Sequence, residues 1–120
     1  MPVPKRVSSL LVTADLAKVS ALDRDLGFTS VETDDRGCVG YVAGESGVIL
    51  ADRDFAVRCW GERAATALGG RFVPYVFLGQ LDGDSVPDGV VLADTRTWFG
   101  TREQVVETIS GPIVLVQAVG

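Results

Sequence analysis

The sequence predicts an α+β fold made of two similar halves. Three observations predict it. Residues 15–26 carry apolar side chains at helical spacing. Short strand-like runs, separated by turns rich in Gly and Asp, lie on both sides of this helix. The first half reads strand, helix, strand, strand, strand, and the second half repeats that order with a loop in place of the helix.

The helix of the first half has a signal at each end. Asp15 is a suitable N-cap, because its carboxylate can accept from the unpaired N–H groups of the first turn. Gly27 follows the last apolar position, where a left-handed residue ends many helices. The expected apolar stripe consists of Leu16, Val19, Leu22 and Leu26.

The strands of the first half are short and closely spaced. Strand one has apolar residues on both faces, which predicts that each face is at least partly covered. Two four-residue turns that end in Gly separate the last three strands, so an antiparallel meander is expected. The four predicted strands span residues 6–13, 28–34, 38–43 and 48–51.

The second half follows a bridge. We expect an irregular loop over 52–61 and a short helix over 62–68 that ends at two glycines. Pro74 indicates that the next strand, 72–78, lies at a sheet edge or starts irregularly. A loop over 79–89 and strands over 90–96, 101–108 and 113–119 complete the chain. Residues 1–120 are thus expected to form one domain, with module 1 over 1–52, a bridge over 53–71 and module 2 over 72–120.

Composition excludes several function classes. The net charge of −5 argues against a nucleic-acid surface or a polybasic membrane anchor, and it tolerates a cationic ligand. No signal peptide or membrane-spanning apolar run is recognised, so a cytoplasmic protein is expected. Cys38 and Cys59 lie outside metal-ligand spacings and are expected to be free thiols. The chain has no histidine, which excludes histidine catalysis and ligation, and no hydrolase, phosphate-loop or dinucleotide motif.

Four short segments together resemble those of a known superfamily. They are Asp15-Leu16-Ala17, Arg24-Asp25-Leu26-Gly27-Phe28, Trp98-Phe99-Gly100-Thr101-Arg102-Glu103 and Gly111-Pro112-Ile113-Val114. In this order they resemble the vicinal oxygen chelate superfamily, which includes glyoxalase I, ring-cleaving dioxygenases and the bleomycin-resistance proteins. The resemblance implies two βαβββ modules, the second here with its helix reduced to a loop, that form curved mixed sheets around a ligand site.

The resemblance also shows where a metal would lie. Metal-dependent members place His, Gln or Glu ligands on the first and last strands of each module. The corresponding positions here lie near Ser8 and Ser9, at Tyr75 and at Leu115, and these side chains do not build a divalent-metal site. Gln117 and Glu107 would serve only in a shifted register, which would exchange the strand faces. We therefore expect no metal and no cofactor.

The aromatic residues indicate what fills the site instead. Phe28 and Phe72 are expected in the core, whereas Trp60 and Trp98 each lie in a glycine-flanked loop or turn, a poor place to bury a large ring. Core packing is the alternative explanation for the tryptophans and for the two tyrosines. The predicted ligand-binding set, in which tyrosine hydroxyls and the Arg102 guanidinium orient a flat ligand, is Tyr41, Phe55, Trp60, Tyr75, Phe77, Trp98, Phe99 and Arg102.

The resemblance and this set together predict a binding protein without catalytic residues. The expected function is sequestration of a flat, hydrophobic or cationic natural product, as in antibiotic resistance. A metal-dependent lyase or dioxygenase of the same fold, and a ligand-carrying component of a biosynthetic pathway, are the alternatives. Because a single open cup leaves exposed edges, we expect a homodimer whose sites lie at the subunit interface, with exchange of a strand or module across the two-fold axis as one form of it.

Overall fold

One mixed sheet of eight strands carries the fold. The computed structural model describes residues 4–81, 86 and 88–119. Within them the elements are β1 Pro4–Thr13, α1 Leu16–Asp25, β2 Thr29–Glu32, β3 Cys38–Ala43, β4 Ser46–Asp52, α2 Arg53–Trp60, α3 Glu62–Leu68, β5 Phe72–Leu78, β6 Val90–Arg96, β7 Thr101–Thr108 and β8 Gly111–Ala118.

The strand order repeats between the two halves of the sheet. It runs β2-β3-β4-β1-β5-β8-β7-β6, so the first four strands occupy one half and the last four occupy the other. The first strand of each half runs parallel to the last strand of that half, in the pairs β1–β4 and β5–β8. An antiparallel β1–β5 pair, in which Ser8 lies opposite Tyr75, joins the halves. The predicted α+β class with a curved mixed sheet is confirmed.

Helix α1 begins and ends where the sequence predicts. Asp15 accepts from the N–H of Lys18 at 3.0 Å, and Gly27 beyond the last turn has a φ of +94°. The apolar stripe is less covered than expected, because Leu22 is 56% exposed and Leu26 is 67% exposed. The side chain of Arg24 reaches the hydroxyl of the buried Tyr41 on β3, which places that tyrosine on the sheet face that α1 covers.

The opposite sheet face carries helices α2 and α3. The prediction of an irregular loop over 52–61 is wrong, because Arg53–Trp60 is helical. Asp52 caps this helix by accepting from the N–H of Phe55 at 2.8 Å, and Gly61 follows its last residue. Both helices bury one side against the sheet, and the main core lies there; their buried residues are Phe55, Ala56, Cys59, Trp60, Ala64, Ala65 and Leu68.

Strand β5 lies in the middle of the sheet, so the edge position predicted from Pro74 is wrong. The sheet accommodates the proline because Pro74 pairs with Ser9 of β1, while the ladder to β8 begins one residue later at Tyr75. Phe72, expected in the core, is 61% exposed at the start of this strand. No helix in the described ranges is long and apolar enough to cross a membrane.

The outer face of the second half has a small apolar cluster in place of a helix. Val76, Leu78, Val106 and Leu115 pack there, and Leu81 covers them from the start of the predicted 79–89 loop. Residues 82–85 and 87 of that loop lie outside the described residues. Val86 packs against the same cluster, so the loop takes part of the place that α1 has in the first half.

Candidate functional site

A cavity of about 530 Å³ opens on the sheet face that carries α2 and α3. This volume lies in the range of small-molecule sites, roughly 300–1,000 Å³. Strands β1 to β5, helix α2 and the start of β7 contribute to its wall. Six of the fifteen lining residues are aromatic, namely Phe55, Trp60, Tyr75, Phe77, Trp98 and Phe99, and these rings are called the aromatic wall.

Phe55 is the centre of the aromatic wall. Its ring meets Trp60 edge-on at 6.3 Å between centroids, meets Trp98 edge-on at 5.5 Å and stacks on Phe99 at 6.2 Å. Tyr75 and Phe77 form a separate edge-on pair at 5.2 Å. Trp60 is 4% exposed and Trp98 is 56% exposed, so the wall runs from the core to an open mouth.

A buried carboxylate lies behind this wall. Glu103 on β7 is fully buried, and both of its oxygens accept hydrogen bonds. Oε1 accepts from Trp60 Nε1 at 3.0 Å, while Oε2 accepts from the hydroxyls of Tyr75 and Thr101, each at 2.6 Å. Burial raises the pKa of Glu103 above its ordinary value, although these three hydrogen bonds oppose the rise.

The phenol and the two thiols in and behind the wall are held in their protonated forms. Burial and the neighbouring Glu103 raise the pKa of the Tyr75 phenol, so it stays protonated. Burial likewise raises the pKa of the Cys38 thiol to about 12 and raises that of Cys59. Both cysteines are free thiols, and neither forms an appreciable thiolate at neutral pH. The raised pKa values therefore suppress the nucleophilic forms of this phenol and of both thiols.

An ion pair closes one side of the mouth. Arg58 on α2 binds Asp35 of the β2–β3 turn through two bonds of 2.7 and 3.0 Å. The hydrogen bond from Arg58, helped by one from the N–H of Gly37, lowers the pKa of Asp35 to about 2. The same guanidinium lies 5.7 Å from the centroid of Phe55 and 5.6 Å from that of Trp98. Arg58 thus connects the turn, the helix and the aromatic mouth.

Six of the eight residues predicted to bind a ligand line this one cavity. The structure does not bring the other two to it. Tyr41 is buried on the α1 face of β3, opposite Cys38 and Gly40, which do line the cavity. Arg102 binds Asp94 at 2.8 and 3.0 Å and donates to the carbonyl of Leu81. Strand alternation explains both errors, because neighbouring residues point to opposite faces.

The prediction from sequence missed Glu103, Asp35 and Arg58. Glu103 directly follows Arg102 and ends a segment quoted for the resemblance, and Asp35 lies in the predicted turn between the second and third strands. For Arg58 the signal was the unrecognised helix α2, since a helical 53–60 segment places it near the mouth. Alternation on β7 offered a signal for Glu103, because residues 101, 103 and 105 share one face.

The residues present do not fit a divalent metal. At the positions that the resemblance indicates, the Tyr75 hydroxyl donates to Glu103 and Leu115 packs in the outer cluster with Val76 and Leu78. Gln117 accepts from the N–H of Leu81 instead. In the part of the chain that the structure describes, no three His, Cys, Asp or Glu side chains come together as a metal site.

Comparison with known proteins supports the fold. No protein-family model matches the sequence, and no curated protein matches it either. A glyoxalase/bleomycin resistance protein/dioxygenase superfamily member from Vibrio splendidus 12B01 superposes with a TM-score of 0.63, covering 95% of this chain and 98% of that chain at 17% identity. Hypothetical protein SA1046 from S. aureus covers 97% of this chain and 94% of its own at 18% identity, with a TM-score of 0.42. The resemblance predicted from the sequence is therefore confirmed at the level of structure, and the chain has the fold of the glyoxalase/bleomycin resistance protein/dioxygenase superfamily.

Proposed function

We propose that this protein binds and sequesters a flat, hydrophobic or cationic natural product without transforming it. The observation that carries the proposal is the aromatic wall around a cavity of about 530 Å³. Flat ring systems stack on such walls, and an apolar cavity with few polar groups is the usual form of a small-molecule site.

The chemistry of the wall favours binding over catalysis. The superfamily includes enzymes as well as resistance proteins that only bind. In this chain the phenol and both thiols have raised pKa values, which suppresses their reactive forms. The residues at the expected metal positions are a phenol already bonded to Glu103 and a leucine on the outer face. These features support the resistance branch of the superfamily as the functional analogue.

A fluorescence screen tests the proposal. The chain has two tryptophans, and both line the cavity, so a bound aromatic ligand is expected to quench their emission. DNA-intercalating and peptide antibiotics are the first compounds to titrate. Recovery of the compound unchanged after incubation distinguishes sequestration from turnover. A chemically altered product, or a stoichiometric divalent metal found by elemental analysis of the purified protein, would contradict the proposal.

The proposal includes a homodimer in the cytoplasm with two equivalent sites at the subunit interface. Exposed apolar residues support an assembled form, because Leu22 and Leu26 on α1 and Trp98 and Phe99 at the mouth are each about half exposed or more. A second copy seated over the mouth would cover the last two and complete the wall. Exchange of a strand or module between copies is one form of this dimer, since the bridge between modules connects the two halves of the sheet.

A further inference from the structure

Glu103 determines where the hydrogens of three wall residues point. Trp60 and Tyr75 each have one polar hydrogen in the side chain, and both are donated to Glu103, at 3.0 and 2.6 Å. Thr101 also donates its single hydroxyl hydrogen to Glu103, at 2.6 Å, and the hydroxyl of Thr97 lies 2.7 Å from that of Thr101 as its donor. What Tyr75 and Thr101 still offer a ligand is therefore an oxygen acceptor, and Trp60 offers only its ring.

The remaining polar side chains of the wall have the same character. The hydroxyl of Thr33 directs its hydrogen to a backbone carbonyl, that of Cys38 at 2.7 Å or that of Asp35 at 2.9 Å. Asp34 and Asp35 are carboxylates, which only accept when ionised. The Cys38 thiol is a weak donor. Among the described side chains that line the cavity, none offers a strong hydrogen-bond donor to a ligand.

Three carboxylates and two guanidiniums lie around the cavity, which leaves a small excess of negative charge. Glu103 accepts at both oxygens, which is the arrangement of an ionised carboxylate. Asp35 is matched by Arg58 in an ion pair, and Asp34 stands exposed beside it in the wall. Arg6 lies 4.2 Å above the ring of Phe77, where its guanidinium is exposed to solvent. The faces of the aromatic rings add a further attraction for cations.

An anionic or purely accepting ligand would therefore lose its hydrogen bonds to water and find no strong donor among the described side chains that line the cavity, at a substantial cost. A cationic donor would find oxygens and ring faces. We propose that Glu103 makes the cavity selective for cationic hydrogen-bond donors, so that the ligand carries a protonated amine or a cationic N–H group on its flat frame. This inference rests on the proposed binding function and adds the ligand class and the residue that determines it.

Three tricyclic compounds of nearly the same shape test the inference at neutral pH. They are 9-aminoacridinium, a cationic donor; acridine, a neutral acceptor; and acridine-9-carboxylate, an anion. We expect the wild type to bind 9-aminoacridinium at least about tenfold more tightly than acridine and to bind the carboxylate most weakly, since hydrogen bonds to charged groups have this magnitude. Equal or tighter binding of the carboxylate would overturn the inference and leave the binding function intact. Failure of all three to bind would overturn both.

The variant Glu103→Gln tests the role of the residue. A glutamine removes the negative charge and places an N–H₂ group against one of the three donors, so at least one wall hydrogen must turn toward the cavity. We expect the preference for 9-aminoacridinium over acridine to fall by about tenfold. Glu107→Gln is the matched control, because it makes the same charge change on the same strand outside the cavity wall and is expected to keep the wild-type ratio.

A second variant keeps the test decisive if Glu103→Gln does not fold. Tyr75→Phe retains the ring and Glu103 but removes one wall oxygen. It is expected to weaken 9-aminoacridinium binding several-fold more than it weakens acridine binding, so that the selectivity ratio falls. A wild-type selectivity ratio in a folded Glu103→Gln protein, or in the Tyr75→Phe protein when the first is unfolded, would overturn the assignment of Glu103.

Discussion

Tyr75 on β5 donates a hydrogen bond of 2.6 Å to Glu103 on β7, across the intervening strand β8. Both residues are buried, and Glu103 accepts at both of its oxygens, as an ionised carboxylate does. Hydrogen bonds to charged groups contribute roughly 1.5–3 kcal/mol, about twice the neutral kind. The bond connects two strands of the second half of the sheet over the strand that lies between them.

The first prediction concerns this bond. Tyr75→Phe is expected to lower the free energy of unfolding by about 1.5–3 kcal/mol, because the buried carboxylate loses one of its three donors. Urea denaturation measures the change. Tyr41→Phe is the matched control, since it removes only a 3.3 Å contact from Arg24 on the other sheet face, and a smaller loss is expected. An equal loss in both variants would show that Glu103 does not depend on this donor.

The second prediction concerns pH. Burial raises the folded-state pKa of Glu103, whereas in the unfolded chain it titrates near its ordinary value of 4.5. As the pH falls through the folded-state pKa, the folded protein takes up the proton before the unfolded chain does, which stabilises the fold. The difference in unfolding free energy between the wild type and Glu103→Gln is therefore expected to shift in favour of the wild type as the pH falls toward 4.5. A difference that stays flat, or moves the other way, would mean that the folded-state pKa is not raised.

The third prediction concerns Asp35. Its pKa lies at about 2 because of the hydrogen bond from Arg58, so the contribution of this pair to stability is present above the ordinary value of 3.8 and is lost as the pH falls toward 2. In Arg58→Gln, the carboxyl pKa of Asp35 measured by NMR is expected to rise toward 3.8. Arg53→Gln serves as the control, since Arg53 on the same helix bonds Thr66 instead. An Asp35 pKa that does not respond to Arg58→Gln would place the cause elsewhere.

The fourth prediction concerns the mouth. Trp98→Ala is expected to weaken ligand binding by about 1–3 kcal/mol, by analogy with the loss of one stacked ring in nucleic-acid binding. The fold is expected to remain, because Trp98 is 56% exposed at a turn. Titration of a ligand found in the screen and thermal unfolding measure the two effects. Unchanged affinity would remove Trp98 from the site, and an unfolded variant would make it a core residue.

The fifth prediction concerns assembly. Light scattering at micromolar concentration is expected to give a dimer mass, with ligand titrating to two equivalent sites per dimer. Leu26→Glu places a charge at the end of α1, and Phe99→Glu places one at the mouth of the cavity. The variant that reduces the mass to that of a monomer identifies the surface through which the two copies make contact. A mass near 12.7 kDa with ligand still bound would show that one chain closes its own cavity.

Much of the fold follows from local signals. Asp15 and Gly27 fixed the ends of α1, and the short turns fixed the meander of the first half. Helix α2 was not predicted, because its charged start at 52–54 is typical of a loop. Two signals for a helix were nevertheless present. Asp52 is its N-cap, and its buried side consists of Phe55, Ala56, Cys59 and Trp60. Pro74 left an edge strand and an irregular start as alternatives, because a missing N–H does not tell how many neighbours a strand has; the strand is central, and its ladder to β8 begins only after the proline.

The site divides in the same way. Residue type was enough to name the six rings of the aromatic wall, although Phe55, Trp60 and Tyr75 also belong to the buried core. Residue type was not enough to place Tyr41 and Arg102. The sheet face on which a side chain lies depends on the register of whole strands, and these two side chains lie away from the cavity. The role of Glu103 was not predicted, because its partners Trp60 and Tyr75 are 43 and 28 residues away in the chain. Such a cluster exists only once α2, β5 and β7 have come together.

The turn between β2 and β3 is fastened to both ends of α2. The carbonyl of Gly37 accepts from the N–H of Asp52, a Cβ at Gly37 would come within 2.8 Å of the Asp52 carboxylate, and Asp35 binds Arg58. An inserted residue in this turn would therefore shift the helix and, with it, the ring of Phe55. The turn at residues 97–100 is closed by its own bonds between Thr97 and Thr101 and can change length without moving a helix. Related chains that prefer different ligands are therefore expected to differ in the length and sequence of the turn at residues 97–100.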